Sequence, residues 1–168
     1  MIRGHKSSEG LSQDLAILNY ALTLEYLEST FYDRVIASNL LTKSELELAK
    51  NFGAAEHAHV EALTHDIKAF GGKPVSSPKF TFPLENRKAV LELAATVENV
   101  GASAYLGQAP RITNGEILAA ALSIHSVEAR HAAALNDLLK KSPTPNGAFA
   151  KPRDMATVLN LVKPFIVS

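Results

Sequence analysis

A glutamate and a histidine three residues apart occur twice in this chain, each time on an apolar helical stripe. The clearer copy is Ser126-Val127-Glu128-Ala129-Arg130-His131. Residues i and i+3 share one face of a helix. Here that face also carries Ile117, Ala121, Ile124, Leu135 and Leu138, which reads as a core pattern. The stretch Ala55-Glu56-His57-Ala58-His59 repeats the arrangement within Ala49, Phe52, Val60, Leu63, Ile67 and Phe70. Glu25 and Glu98 sit in the middle of two further helical patterns, again on apolar faces. Four carboxylates and two imidazoles aimed inward must be compensated, because unpaired buried charge is very costly. Two divalent metal ions would balance four carboxylates.

Composition alone gives little weight to one such pair. With 12 Glu and 6 His in 168 residues, roughly 0.4 Glu-x-x-His pairs are expected by chance. Two pairs, each preceded about 30 residues earlier by another inward glutamate, are specific. The competing reading is a plain four-helix bundle whose inward Glu and His only hydrogen-bond one another; that all six positions are filled favours metal.

The helical patterns are set out by punctuation. Residues 1–11 are polar and glycine-containing, and are expected to form a flexible N-terminus ahead of one domain over 12–168. From about Ser12 a helical face runs through Leu15, Leu18, Leu22, Glu25, Tyr32 and Ile36, with Asp14 near the positive end of the helix dipole. Thr42-Lys43-Ser44-Glu45 is a capping box that opens a second helix, which ends at Gly71-Gly72. Pro83 suits the first turn of a third helix, and Pro110 breaks it. Thr113-Asn114-Gly115-Glu116 reads as a second capping box, opening a fourth helix that reaches Lys140-Lys141. A Pro/Gly-rich linker leads to a short last helix in 154–168, expected to pack Leu159, Val162, Phe165 and Ile166 on the bundle.

Each long helix has about 25 residues, or roughly 38 Å at 1.5 Å per residue. The segment Gly71 to Asn86 is long enough, at ~3.3 Å per residue, to run the length of a helix. The expected fold is therefore all-α: two antiparallel hairpins joined by a long crossover, with the second and third helices parallel, plus a short C-terminal helix. Nothing reads as strand outside the crossover. The halves also match, with Glu25/Glu98, Tyr32/Tyr105, Glu56/Glu128, His59/His131, Leu63/Leu135 and Thr42/Thr113 at offsets of 71 to 73 residues. A duplicated hairpin of this kind places two equivalent sites side by side about a pseudo-two-fold axis.

On those residues the chain resembles the ferritin-like superfamily, whose di-iron and di-manganese members use this known donor set. It is most similar to ferritin-like domain proteins related to plant desiccation-associated proteins. Ile17 to Tyr32, Val127 to His131 and Val158 to Ile166 carry the similarity. The resemblance implies a dinuclear iron site, with manganese as the other candidate metal. Its ligands would be Glu25, Glu56, His59, Glu98, Glu128 and His131, with Glu56 and Glu128 bridging. Haem is not expected, since Met1 and Met155 are the only methionines and both lie outside the bundle. The aspartate that commonly precedes bridging glutamates in bacterioferritins is replaced by Ala55 and Val127, so the groups orienting the histidines must differ.

Other side chains carry weaker signals. Tyr32 and Tyr105 are candidates to hydrogen-bond ligands or relay an electron, against plain packing. Glu28 reads as a solvent-facing residue, with an extra ligand or an entry-path carboxylate as the alternatives. His125 is a candidate to orient a ligand, while His57, His65 and Arg130 read as surface residues. Lys plus Arg equals Asp plus Glu at 17 each, and no basic block stands out, so neither nucleic acid nor a membrane is an expected partner. No uncharged run approaches the ~20 residues of a bilayer span. The chain as it stands is expected in the cytoplasm, or in the periplasm or outside the cell if a leader has been removed. The function expected is oxidation of Fe(II) by dioxygen or peroxide in iron and oxidative-stress protection. An iron-storage cage subunit and a non-catalytic, stress-protective metal binder are the alternatives, and a homo-oligomer suits each.

Overall fold

Capping side chains explain where the helices begin. In the computed structural model, which describes residues 8–167, α1 spans Ser8–Ala37, α2 Lys43–Ala69, α3 Arg87–Gln108, α4 Gly115–Leu138 and α5 Met155–Val162. The Thr42 box opens α2 with Glu45 reaching back to the Thr42 amide at 2.9 Å. Asn86 caps α3 by accepting from the Ala89 amide at 3.0 Å. Pro83 therefore precedes the helix rather than opening it, because the asparagine three residues later supplies the stronger start signal. The cap of α4 is Asn114, which accepts from Glu116 N, and not Thr113 as expected. Thr113 instead donates from both its amide and its hydroxyl to Asp14 of α1, at 2.8 and 2.9 Å. The fully buried Asp14 also accepts from Asn114 N, so it ties the start of α1 to the start of α4.

α1 starts at Ser8, a turn ahead of the expected Ser12, with Glu9 in its first turn favoured by the helix dipole. The rest of the N-terminal segment expected to be flexible, 1–7, lies outside the described residues. α2 stops at Gly71, whose φ of 82° is the left-handed conformation glycine adopts freely. Gly72 N bonds Ile67 O and Gly71 N bonds Lys68 O, the paired closure of a helix C-terminus.

The crossover then runs back along the bundle. Asn19 of α1 holds it, accepting from Val75 N at 2.8 Å and donating to Lys73 O at 3.2 Å. Arg87 at the start of α3 pairs with Glu45 at the start of α2, so the two helices begin at the same end and run parallel. The ion pair confirms the expected direction. Within the crossover β1, Lys79–Phe80, pairs antiparallel with β2, Ile166–Val167. That second strand was not expected. It forms because the 3-10 turn Lys163–Phe165 ends the C-terminal helix and turns the chain alongside the crossover.

Three apolar clusters result. One joins Leu18, Leu22, Leu63, Ile67 and Ile117 at one end of the bundle. A second joins Phe31, Phe52, Val90, Leu91 and Leu135 at the other. The third covers the back of α1 and α3, where Val158 and Val162 of α5 meet Leu24, Leu27, Val97 and Val100. Full burial of each such valine contributes about 1.5–3 kcal/mol. Leu159, expected to pack, is instead exposed, because the buried face of α5 runs through Val158 and Val162. Leu138 is likewise exposed, in the last turn of α4. Among the described residues no helix is long and apolar enough to cross a membrane.

Candidate metal centre

Glu25 and Glu98 stand in the middle of α1 and α3, while α2 and α4 each present a Glu-x-x-His pair to the same layer. The layer lies between the two end clusters. Donor atoms of Glu25, Glu56, His59 and Glu128 all lie within 4.8 Å of one another, and so do those of Glu56, Glu98, Glu128 and His131. Glu56 and Glu128 belong to both groups. The four glutamates have no exposed surface, and the histidines are 5% and 9% exposed. All six residues singled out from the sequence are brought together.

Both imidazoles turn Nδ1 towards carboxylates. His59 Nδ1 is 2.9 Å from Glu56 Oε2, 3.2 Å from Glu25 Oε2 and 3.3 Å from Glu128 Oε1. His131 Nδ1 is 2.9 Å from Glu56 Oε1 and 3.3 Å from Glu98 Oε2. Phe52 stacks on the His131 ring at 3.8 Å between centroids and fixes its plane.

These close contacts do not amount to a satisfied network. Glu56 Oε1, Glu98 Oε2, both oxygens of Glu128 and His131 Nδ1 are buried without a hydrogen-bond partner. The short His131–Glu56 contact thus lacks hydrogen-bond alignment. Orphaned polar atoms are rare in protein interiors, and this cluster of them converges on one small volume. Carboxylate oxygens with imidazole nitrogens, and no thiolate, suit iron or manganese. The residues present therefore fit a pair of such ions.

Without metal, protons would carry the compensating charge. Burial pushes the Glu25 carboxyl up to about 7, against the lowering effect of its bond with His59. Burial likewise raises Glu98 and, well above the usual range, Glu128. Glu56 is the exception: burial opposes ionisation, but contacts with His131 and His59 bring it down to about 2. Burial would lower both imidazoles, yet the surrounding carboxylates raise His59 to about 12 and His131 to about 9.

The two tyrosines do not pack idly. Tyr105 Oη donates to Glu25 Oε1 at 2.5 Å, and Tyr32 Oη donates to Glu98 Oε1. Each reaches the glutamate of the opposite half. Burial first, then the neighbouring glutamates, raise both phenols well above their usual range and keep them neutral donors. His125 points away from the layer, donating from Nδ1 to Ala102 O at 3.0 Å. His57 pairs with Asp33 on the surface at 3.1 Å, and His65 and Arg130 are exposed.

Glu28 departs from the expectation of a solvent-facing residue. It is 2% exposed, and its Oε2 has no hydrogen-bond partner. Glu28 lies at i+3 from Glu25 and shares its inward side, and Gly101 leaves the space there for its Oε1 beside Glu128. The third residue after Glu25 then stays inside.

Known proteins share this architecture. A crystal structure of ferritin-like, diiron-carboxylate proteins from Bacillus anthracis str. Ames superposes with a TM-score of 0.71 and 22% identity, covering 79% of this chain and 99% of that one. The protein rv2844 from Mycobacterium tuberculosis superposes with a TM-score of 0.70 and 19% identity, covering 77% of this chain and 92% of that one. No curated protein matches the sequence. The family profile of the ferritin-like domain matches residues 13–141, from the first turns of α1 to just past the end of α4. The chain belongs to the ferritin-like domain family.

Proposed function

We propose that the chain is a di-iron protein that binds and oxidises Fe(II) with dioxygen or peroxide, in protection against iron and oxidative stress. The observation that carries this reading is the pair of overlapping donor groups with Glu56 and Glu128 in common. Glu25 and His59 would complete one metal position, and Glu98 and His131 the other. The fold shared with proteins described as ferritin-like and diiron-carboxylate supports iron over manganese.

Iron held there supplies one-electron redox chemistry. Two Fe(II) substrates give up one electron each. Dioxygen that takes both electrons and two protons leaves as hydrogen peroxide, and peroxide that does so leaves as two waters. The chain's own residues hold the geometry for this exchange. Tyr105 and Tyr32 fix one oxygen each of Glu25 and Glu98, leaving the other oxygen for a cation. The apolar clusters on either side keep bulk water from the layer and limit side reactions.

The test is dioxygen uptake after adding two Fe(II) per chain to metal-free protein in air-saturated buffer. The reading expects uptake well above buffer alone, at about one dioxygen per two Fe(II) when the peroxide leaves and about one per four when it is consumed in turn. Tight iron binding without uptake would leave the non-catalytic binder, and elution from gel filtration as a large shell would favour the storage cage.

A further inference from the structure

Glu28 is a buried ionisable residue that the six-donor set leaves unused. Its electrostatic neighbours are carboxylates, Glu128 first and then Glu25, Glu56 and Glu98. Its Oε2 has no hydrogen-bond partner. A fifth carboxylate so placed is costly unless a proton or a cation offsets it.

The internal duplication shows how the position is built. An offset of 73 residues takes Glu25 to Glu98 and Tyr32 to Tyr105, and takes Glu28 to Gly101. Tyr105 reaches Glu25 while Tyr32 reaches Glu98, so α1 and α3 cross antiparallel with Glu28 and Gly101 at the crossing point. That is where the pseudo-two-fold axis passes, and two equivalent side chains cannot both occupy it. A Cβ at Gly101 would lie 2.6 Å from Glu28 Oε1 and 2.9 Å from Glu128 Oε2. One half of the chain therefore supplies the carboxylate and the other supplies the space for it.

Behind Glu28 a cavity of about 70 Å³ reaches towards α5, lined by Leu27, Val100, Val162 and Phe165 among others. Glu28 is the one charged residue among the described residues that line it. The cavity gives the side chain room to change rotamer without disturbing the core.

We propose that Glu28 is a seventh metal-binding side chain, a fifth carboxylate that ligates the dinuclear site from its α1/α3 side. The proposal rests on the metal-centre reading above. Glu28 stands outside the two tight donor groups, one side chain away from them through Glu128, and closes on them by a change of rotamer.

Anaerobic titration with Co(II), followed by its visible absorption, tests this on the full chain and on Glu28→Gln. Glutamine keeps the shape and removes the charge, and a melting curve of each metal-free protein confirms that both are folded. The expected result is two Co(II) per wild-type chain, with Glu28→Gln weakening at least one of them about tenfold or more and altering its visible band. Wild-type affinities and spectra in Glu28→Gln overturn the proposal and leave the six-ligand centre standing. Weaker binding with an unchanged spectrum also overturns it, since Glu28 is then a neighbouring charge and not a ligand. A wild-type chain that takes up no Co(II) removes the metal centre and this proposal together.

Discussion

Shared and unshared glutamates should respond differently to loss. Glu128 belongs to both donor groups, whereas Glu25 belongs to one. A ligand that binds only the folded chain stabilises it by about 2.7 kcal/mol at a hundred times its dissociation constant. Two ions at that concentration give about 5 kcal/mol, which for a chain of this size raises the melting temperature by roughly 10–20 °C. Glu25→Gln should keep about half of that shift, and Glu128→Gln should lose nearly all of it. The assay is a melting curve with and without Mn(II), chosen because it is redox-quiet under these conditions. The metal-free curves supply a second arm. Glu128 is fully buried among carboxylates, with neither oxygen hydrogen-bonded, so its neutralisation should leave metal-free stability unchanged or higher. Were Glu128 a structural hydrogen-bonding partner, the change would cost about 1–3 kcal/mol. Equal loss of the metal shift in the two variants, or a clearly destabilised metal-free Glu128→Gln, would refute the shared-ligand reasoning.

Removing the tyrosine hydroxyls tests the groups that orient the ligands: Tyr105→Phe and Tyr32→Phe should each lower metal affinity about 10–100-fold, read by competition with a chelator, with the bundle intact by circular dichroism. Asp14→Ala removes an acceptor of three hydrogen bonds and should cost about 3 kcal/mol, measured by urea denaturation, while leaving metal stoichiometry unchanged. The pH dependence should have opposite signs with and without metal. His59 and His131 are raised to about 12 and about 9, so their contribution to the metal-free fold is complete below about 6.5 and falls away as pH rises through those values. Glu25, raised to about 7, adds to the same trend, since its ionisation in the fold becomes a cost between about 4.5 and 7. Metal-free protein should therefore melt lower at pH 8.5 than at pH 5.5. Binding of metal displaces these protons, so apparent metal affinity should rise over the same interval; melting curves in EDTA and in Mn(II) check both slopes.

The six donors were legible because a helical period converts spacing directly into direction. Glu56 and His59, or Glu128 and His131, must share a face whatever the tertiary structure does, and the apolar residues on that face say that it is inward. The crossover was legible from its length and prolines. The misreadings have a common cause in tertiary covering. Glu28 shares the inward side of Glu25 three residues before it, yet the room that keeps its carboxylate inside comes from Gly101 of α3, which nothing local in Ser12 to Ala37 reveals. The signal that was available is Gly101, the small residue standing where the duplication would put a second glutamate. The capping of α4 was misassigned by one residue because Thr113 is recruited by Asp14, almost a hundred positions away. Tyr32 and Tyr105 were recognised as candidates, but their reach to the opposite half depends on the crossing of α1 and α3, which spacing within one helix does not encode. The strand at Ile166–Val167 likewise exists only through its pairing with Lys79–Phe80.

Metal stoichiometry tests the central claim most directly. Metal-free protein titrated with Fe(II) under strict anaerobiosis, with bound iron quantified after removal of the excess, should saturate at two ions per chain. A plateau below one ion per chain would contradict the dinuclear centre.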